Sequence, residues 1–406
     1  MRLKDLVTVR NIKTDRNDLP YIALENIKSW DGTYVPSPIE TEGTNSVFFA
    51  GDVLFGKLRP YLAKAYIPDH NGICSTEFLV LKTGAHMSNK FLKYYLLSPG
   101  FIDYISNQVA GVKMPRTNWD EIGGLTINVL EIEKQREIVE YLDKETDIIN
   151  KRIWLREREL QALIKLKQSQ IDAVVTRGLN PNVKMKDSGI EWIGQIPEHW
   201  KTIRLKDISF MYSGLTGKAG DDFRCEDISM TKPFIPFTNI LNNTVVDFDS
   251  FKQVVMSDDE DQNKVRENDI LFLMSSEDYE SIGKTAIVVG DPGEVYLNSF
   301  CRGLRIMNHK DVYPKFVNYL LSSDKYRDAL RFEARGFTRI NLKIDKISSL
   351  SIVLPPIKEQ KAIVDFIDTQ YAKIDAIVSN INQQIEKLKI LKKSLINEVI
   401  TGQRTI

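Results

Sequence analysis

The apolar positions of this chain fall into two regimes. Over residues 133–178 and again over 358–402 they recur at helical spacing. In the second stretch Ile363, Ile367, Ile374, Val378, Ile381, Ile385, Leu388 and Leu395 stand mostly three and four apart, with charge between them. This pattern predicts a helix with one narrow apolar stripe. A stripe so long and narrow is a coiled-coil seam rather than the broad face of a globular-core helix. Pro355 and Pro356 precede the second stretch, where a missing N–H costs little. Gly178 and Gly402 follow the two stretches as stop signals. Roughly 44 residues at about 1.5 Å each make a helix of about 65 Å.

The two stretches are copies. Glu133-Lys134-Gln135-Arg136-Glu137-Ile138-Val139 reappears 225 positions on as Lys358-Glu359-Gln360-Lys361-Ala362-Ile363-Val364. One such helix cannot bury its stripe alone, but two can bury theirs on each other. More than 100 residues precede each copy. The expectation is an antiparallel coiled coil with a globular domain at each end.

The leading regions show the other regime, short apolar runs punctuated by Gly and Pro. Val53–Phe55, Phe78–Leu81, Thr126–Leu130, Ile270–Leu273, Thr285–Val289 and Ser351–Leu354 read as strands, and Lys90–Ser98 and Lys315–Ser323 as amphipathic helices. These domains are therefore expected to be mixed α/β (α+β). They repeat as well: Leu3-Lys4-Asp5-Leu6 is echoed by Leu205-Lys206-Asp207-Ile208, and Gly51-Asp52-Val53-Leu54-Phe55 by Asn268-Asp269-Ile270-Leu271-Phe272. The spacing of the echoes drifts inside the domains and locks across the helices. Drift marks insertions, which live in surface loops. The reading is an internal pseudo-twofold repeat with a domain at 1–132, a helix at 133–178, a connector at 179–204, a second domain at 205–357 and a second helix at 358–402. Trp192 and Trp200 in the connector are expected to act as a hydrophobic plug.

Charge and composition remove several function classes. The 406 residues carry no formal net charge, so any nucleic-acid surface must be local. Cys74, Cys225 and Cys301 form no CxxC pair, which favours reduced thiols in a cytoplasm and disfavours a zinc module. His70, His86, His199 and His309 lack metal-ligand spacing, so no metal site is expected. No apolar run is long enough for a membrane span, and no membrane association is expected.

The most distinctive motifs are three. One is the connector Ser188-Gly189-Ile190-Glu191-Trp192-Ile193-Gly194-Gln195-Ile196-Pro197-Glu198-His199-Trp200, followed by Leu205-Lys206-Asp207. The others are Leu354-Pro355-Pro356-Ile357-Lys358-Glu359-Gln360 and Gly51-Asp52-Val53-Leu54-Phe55-Gly56-Lys57-Leu58-Arg59-Pro60-Tyr61-Leu62. In this order, within a domain–helix–domain–helix repeat, the chain resembles the specificity subunit of Type I restriction–modification systems. The resemblance implies two target-recognition domains, each reading half of a split double-stranded DNA target. It implies helices that set the spacing and dock two modification (methyltransferase) subunits, with restriction (translocase/endonuclease) subunits joining for cleavage in host defence. S-adenosylmethionine, ATP and magnesium would serve those partners, and no cofactor is expected in this chain. Members of the family often carry a connector-like segment before the first domain. This sequence starts almost at Leu3-Lys4-Asp5, so two alternatives stand open: the first domain lacks part of its edge packing, or the true start lies upstream.

The residues themselves offer no catalytic constellation. Pro355-Pro356 lacks the polar and aromatic neighbours of an amino-methyltransferase motif, and no P-loop is present. Pro68-Asp69 with Glu77 comes nearest to a nuclease set, but Leu79 stands where a lysine is needed, and Asp258-Asp259-Glu260-Asp261 reads as a solvated loop. Base reading needs Arg, Lys, Asn and Gln side chains, and phosphates need cations. The candidates are Lys57, Arg59, Tyr61, Lys64, Lys113, Arg116 and Asn118 in the first domain. In the second they are Arg335, Arg339 and Asn341, with Ser275, Ser276 and Lys284 behind them. Two alternatives remain open at this point, a stand-alone nuclease or methyltransferase and a coiled-coil scaffold.

Overall fold

The structure, a computed structural model, describes residues 1–37, 41, 43–108, 114–224, 230–257 and 259–406. Gly111, Lys113, Cys225 and Asp258 lie outside these residues. The chain divides into two compact units, Met1–Glu159 with Asn380–Ile406, and Leu160–Ser379. The two long helices span Ile132–Arg177 and Ile357–Ile400, and each gives one half to each unit. Gly178 (φ 76°) and Gly402 (φ 75°) end them in the left-handed conformation that a side chain would strain.

In the first unit the main sheet has the order Val7–Val9, Phe78–Thr83, Val53–Gly56, Ala65–Tyr66, all antiparallel. A second sheet of short strands flanks it, with Tyr21–Ile22 parallel to Gly72–Cys74. Helices Asn89–Leu96 and Pro99–Gln108 cover the main sheet. Leu92 and Leu96 join Ile138, Leu142, Leu395 and Ile396 in one buried core, so the helical halves are part of the domain's interior. Lys134 reaches the main-chain oxygen of Ile406, and Asn150 accepts from Lys392, so the two halves run antiparallel.

The second unit repeats this order: Ser209–Ser213, Cys301–Ile306, Ile270–Leu273, Thr285–Ile287, again antiparallel. Its flanking sheet also holds a parallel pair, Thr231–Ile235 with Tyr296–Leu297. Ile171, Val175, Ile363 and Ile367 share a core with Phe316 and Leu320 of helix Pro314–Ser322. Lys167 pairs with Asp375 at 2.6 Å, again antiparallel. The mixed α/β domains, the two long helices and their antiparallel pairing are as the sequence predicts.

The repeat reaches individual hydrogen bonds. Gln135 is fully buried; its Nε2 donates to His86 O and Leu130 O, and its Oε1 accepts from Ser88 N. Gln360, also fully buried, donates to Asp311 O and Pro355 O and accepts from Tyr313 N. One residue at the start of each helix thus ties that helix to its own domain. Asp143 holds Lys90 and Tyr94, and Asp368 holds Lys315 and Tyr319 in the same way.

Two expectations are corrected. Thr126–Leu130 is not a strand. The corresponding Ser351–Leu354 pairs along its length with Lys201–Arg204, whereas among the described residues the strand-like pairing of the first-unit stretch is a bridge to Arg2 and two bonds between Ile127 and Met1. A ladder that short does not make a strand, and a cavity of about 540 Å³, lined by Phe91, Tyr95, Ile127 and Ile138 among others, lies beside it. In the connector, Trp200 is a fully buried plug, but Trp192 is 37% exposed and only leans edge-on against Tyr326, 4.8 Å away.

Candidate nucleic-acid interface

The structure brings the first-domain candidates together across one bridge. Leu58 pairs with Arg116, Thr117 N donates to Lys57 O, and Arg59 N donates to Pro115 O. Lys57, Arg59 and Tyr61 therefore lie on a loop that abuts Arg116 and Asn118. Arg59 sits at φ 51°, unusual for a residue with a side chain, and it leads into the turn Pro60–Leu62. Arg59 and Tyr61 are exposed. Arg116 makes two bonds to the Glu77 carboxylate, at 3.1 and 3.2 Å, which hold its guanidinium above the ordinary arginine range. Asn118 caps the short helix Trp119–Gly123 by accepting from Glu121 N.

The second domain uses the same pairing. Ser275–Ser276 runs antiparallel to Ile340–Asn341, with Ser275 opposite Asn341. Arg335 and Asn341 exchange both main-chain bonds, closing a loop that carries Arg339. Arg339 lies over the Phe300 ring at 4.5 Å, and the Arg335 guanidinium turns back onto the carbonyls of Phe332 and Ala334. Ser275 Oγ is buried and, among the described residues, has no hydrogen-bond partner.

Two further candidates turn their ammonium groups onto main-chain carbonyls. Lys64 Nζ donates to Leu24 O at 2.7 Å, and Lys284 Nζ donates to Leu241 O at 2.9 Å. Burial lowers both below the usual lysine range, with Arg327 adding to the effect at Lys284. Lys113 lies outside the described residues.

The second loop also carries aromatics, which a criterion of cations and amides does not select. Phe337 is 99% exposed, and Phe332, Tyr279 and Phe300 are exposed around it. The signal was present in Arg335-Gly336-Phe337-Thr338-Arg339, an aromatic between two arginines. Among the described residues no group of three His, Cys, Asp or Glu is placed to hold a metal ion, and no helix is long and apolar enough to cross a membrane.

Residues 197–387 match a family described as the Type I restriction modification DNA specificity domain. The matched stretch is 191 of the 406 residues, just under half of the chain, and takes in the second domain and most of the second long helix. Among curated members, the putative MjaX specificity subunit of Methanocaldococcus jannaschii is 31% identical over 215 residues, 52% of this chain and 47% of its own length. The MjaVIII specificity subunit of the same organism is 21% identical over 363 residues, 87% of this chain and 76% of its own length. The match spans about half the length of MjaX and of other Type I specificity subunits. In fold, a chain from a structure on complex assembly and conformational transition of the type I R-M system aligns over 100% of this chain and 97% of its own, with a TM-score of 0.69 at 20% identity. The domain–helix–domain–helix order is thus a fold shared with a Type I chain at low identity.

Proposed function

We propose that this chain is the non-catalytic DNA-specificity subunit of a cytoplasmic Type I restriction–modification complex, each domain reading one half of a bipartite target. The observation that carries the reading is the duplicated loop pairing. Leu58 with Arg116 and Ser275 with Asn341 put matching backbone under different side chains. One scaffold carrying two different sets of donors is what reading two different half-sites requires. In this reading residues 1–132 and 205–357 are the recognition domains, and the long helices are the spacer. The outer helix faces dock two methyltransferase subunits, with restriction subunits joining them. Methyl transfer and cleavage belong to those partners, with their S-adenosylmethionine, ATP and magnesium.

Arg59, Tyr61, Arg116, Arg339 and Asn341 are the proposed first contacts. Arg116 would exchange its Glu77 partner for a phosphate or a guanine edge. Methylation mapping in a host carrying the chain and its methyltransferase tests this. Arg116→Ala should weaken modification set by one half-site and Arg339→Ala by the other, each by about 1–3 kcal/mol for a bidentate base contact. Equal losses at both half-sites, or none, would overturn the assignment.

A further inference from the structure

The loop between Arg335 and Asn341 is built to hold one aromatic ring in water. Its base is closed by the two main-chain bonds between Arg335 and Asn341, at 3.0 and 2.8 Å. Ala334 and Ile340 anchor it on either side, 1% and 2% exposed. Gly336 takes φ 149°, and a Cβ there would lie 2.0 Å from Arg339 O, so the turn accepts glycine alone. Tyr279 OH donates to Gly336 O, and Asn341 Nδ2 donates to Arg339 O. On this braced turn Phe337 projects at 99% exposure. A lone exposed phenyl needs no explanation, but Phe337 shares this surface with exposed Tyr279, Phe300 and Phe332, and a group of exposed aromatics implies an occupant that covers it.

The neighbours say which occupant. Residues 334–344 carry Arg335, Arg339 and Lys343 and no Asp or Glu, so the ring stands on a locally cationic loop, two residues from an arginine on each side. An apolar tip on a cationic base fits a duplex. The arginines meet phosphates or base edges while the ring enters the stack, as wedge residues do when they unstack a step and kink DNA.

We propose that Phe337 is an apolar wedge that inserts at one base step of the half-site met by the second domain. The proposal rests on the DNA reading given above and adds to it a deformation of the duplex. Sequence preference at that step would then come from how easily the step opens, and pyrimidine–purine steps open most easily.

The test uses the full chain, tagged and purified with whatever methyltransferase its host supplies. Duplexes that it retains from a random-sequence pool are sequenced, and 2-aminopurine is placed at successive positions of the recovered half-sites. One position in a single half-site, distinct from the methylated base, should brighten at least twofold on binding. The brightening should survive Phe337→Trp and vanish in Phe337→Ala. Recovery of a sequence with no such position, or brightening unchanged in Phe337→Ala, overturns the wedge and leaves the DNA reading intact. Failure to recover any sequence overturns both. Loss of the co-purifying methyltransferase in Phe337→Ala, with brightening retained, assigns the ring to a protein contact and also overturns the wedge.

Discussion

Each domain buries one carboxylate beside its central strand, and each neutralises it from a different side. In the second domain Asp269 is 0% exposed; Arg305 Nε and Nη2 donate to it at 2.8 and 2.7 Å, and Tyr212 OH donates at 2.6 Å. In the first domain the equivalent Asp52 is 4% exposed and takes two side-chain bonds from Arg10, at 2.8 and 3.0 Å. By strand register Arg10 occupies the position of Tyr212, and Lys82 that of Arg305. The guanidinium has changed strands while the carboxylate stayed. Arg305→Ala strands a buried charge and should cost about 3–5 kcal/mol. Tyr212→Arg alone loses the ring that fills the space over Gly303, where a Cβ would lie 2.0 Å from Tyr212 Cζ, and should cost about 2–4 kcal/mol. Arg305→Lys alone loses the bidentate pair. Together, Tyr212→Arg and Arg305→Lys copy the first domain. If the carboxylate accepts a guanidinium from either strand, the double variant is more stable than the sum of its singles by about 2 kcal/mol. Urea unfolding of the full chain gives the energies. Hydrogen exchange localises the change to the second unit, since two units need not unfold as one. Strict additivity within about 0.5 kcal/mol, or a loss below about 1 kcal/mol for Arg305→Ala, would refute the reasoning.

Burial, with the Asp324 carboxylate beside it, raises Asp172 to about 6. A carboxyl raised above its unfolded value of about 3.9 holds its proton more tightly when folded, so its contribution is intact below about pH 4 and lost as pH rises through about 6. Asp172→Asn should therefore stabilise at pH 7.5 by roughly 1 kcal/mol, discounted for a half-exposed pair, and not at pH 4; an equal gain at both would sink the account. Gln360→Ala leaves one buried and two part-buried main-chain groups without their partner and should lower unfolding stability by about 2–4 kcal/mol, a loss under about 1 kcal/mol counting against the tie. Under the proposed spacer role, seven residues inserted in both helices, near Leu163 and near Leu388, add about 10 Å. That is roughly three base pairs at about 3.4 Å. Methylation mapping should find the same half-sites with a longer gap, and an unchanged gap would argue against the helices as the spacer.

Helices and central strands were legible because their signals are local. The spacing of Ile363, Ile367 and Ile374 gives the helix, and Ile270–Leu273 stands in the structure with the bounds its apolar run predicts. Thr126–Leu130 was misread because a strand needs a partner, and nothing in its own residues records whether one is present. Lys64 and Lys284 looked like free cations because sequence cannot show a carbonyl folding back within 3 Å of an ammonium. The pairing of Arg116 with Glu77 joins residues 39 apart, with a strand and two helices between them, a separation no local pattern spans. Phe337 was in view, but exposure is a property of the surround rather than of the residue.

Gln135 and Gln360 bear on how this chain can change over generations. Each grips its domain only through main-chain oxygens and one main-chain nitrogen. The residues gripped are His86, Ser88 and Leu130 in one case, and Asp311, Tyr313 and Pro355 in the other. No two correspond in identity, yet the joint is the same. That part of the joint leaves side-chain identity open at the gripped positions, proline at 88 or 313 excepted. The loops beyond it can then drift without a compensating change at Gln135 or Gln360, while Asp143, Asp368 and the shared apolar cores still match each helix to the side chains of its domain.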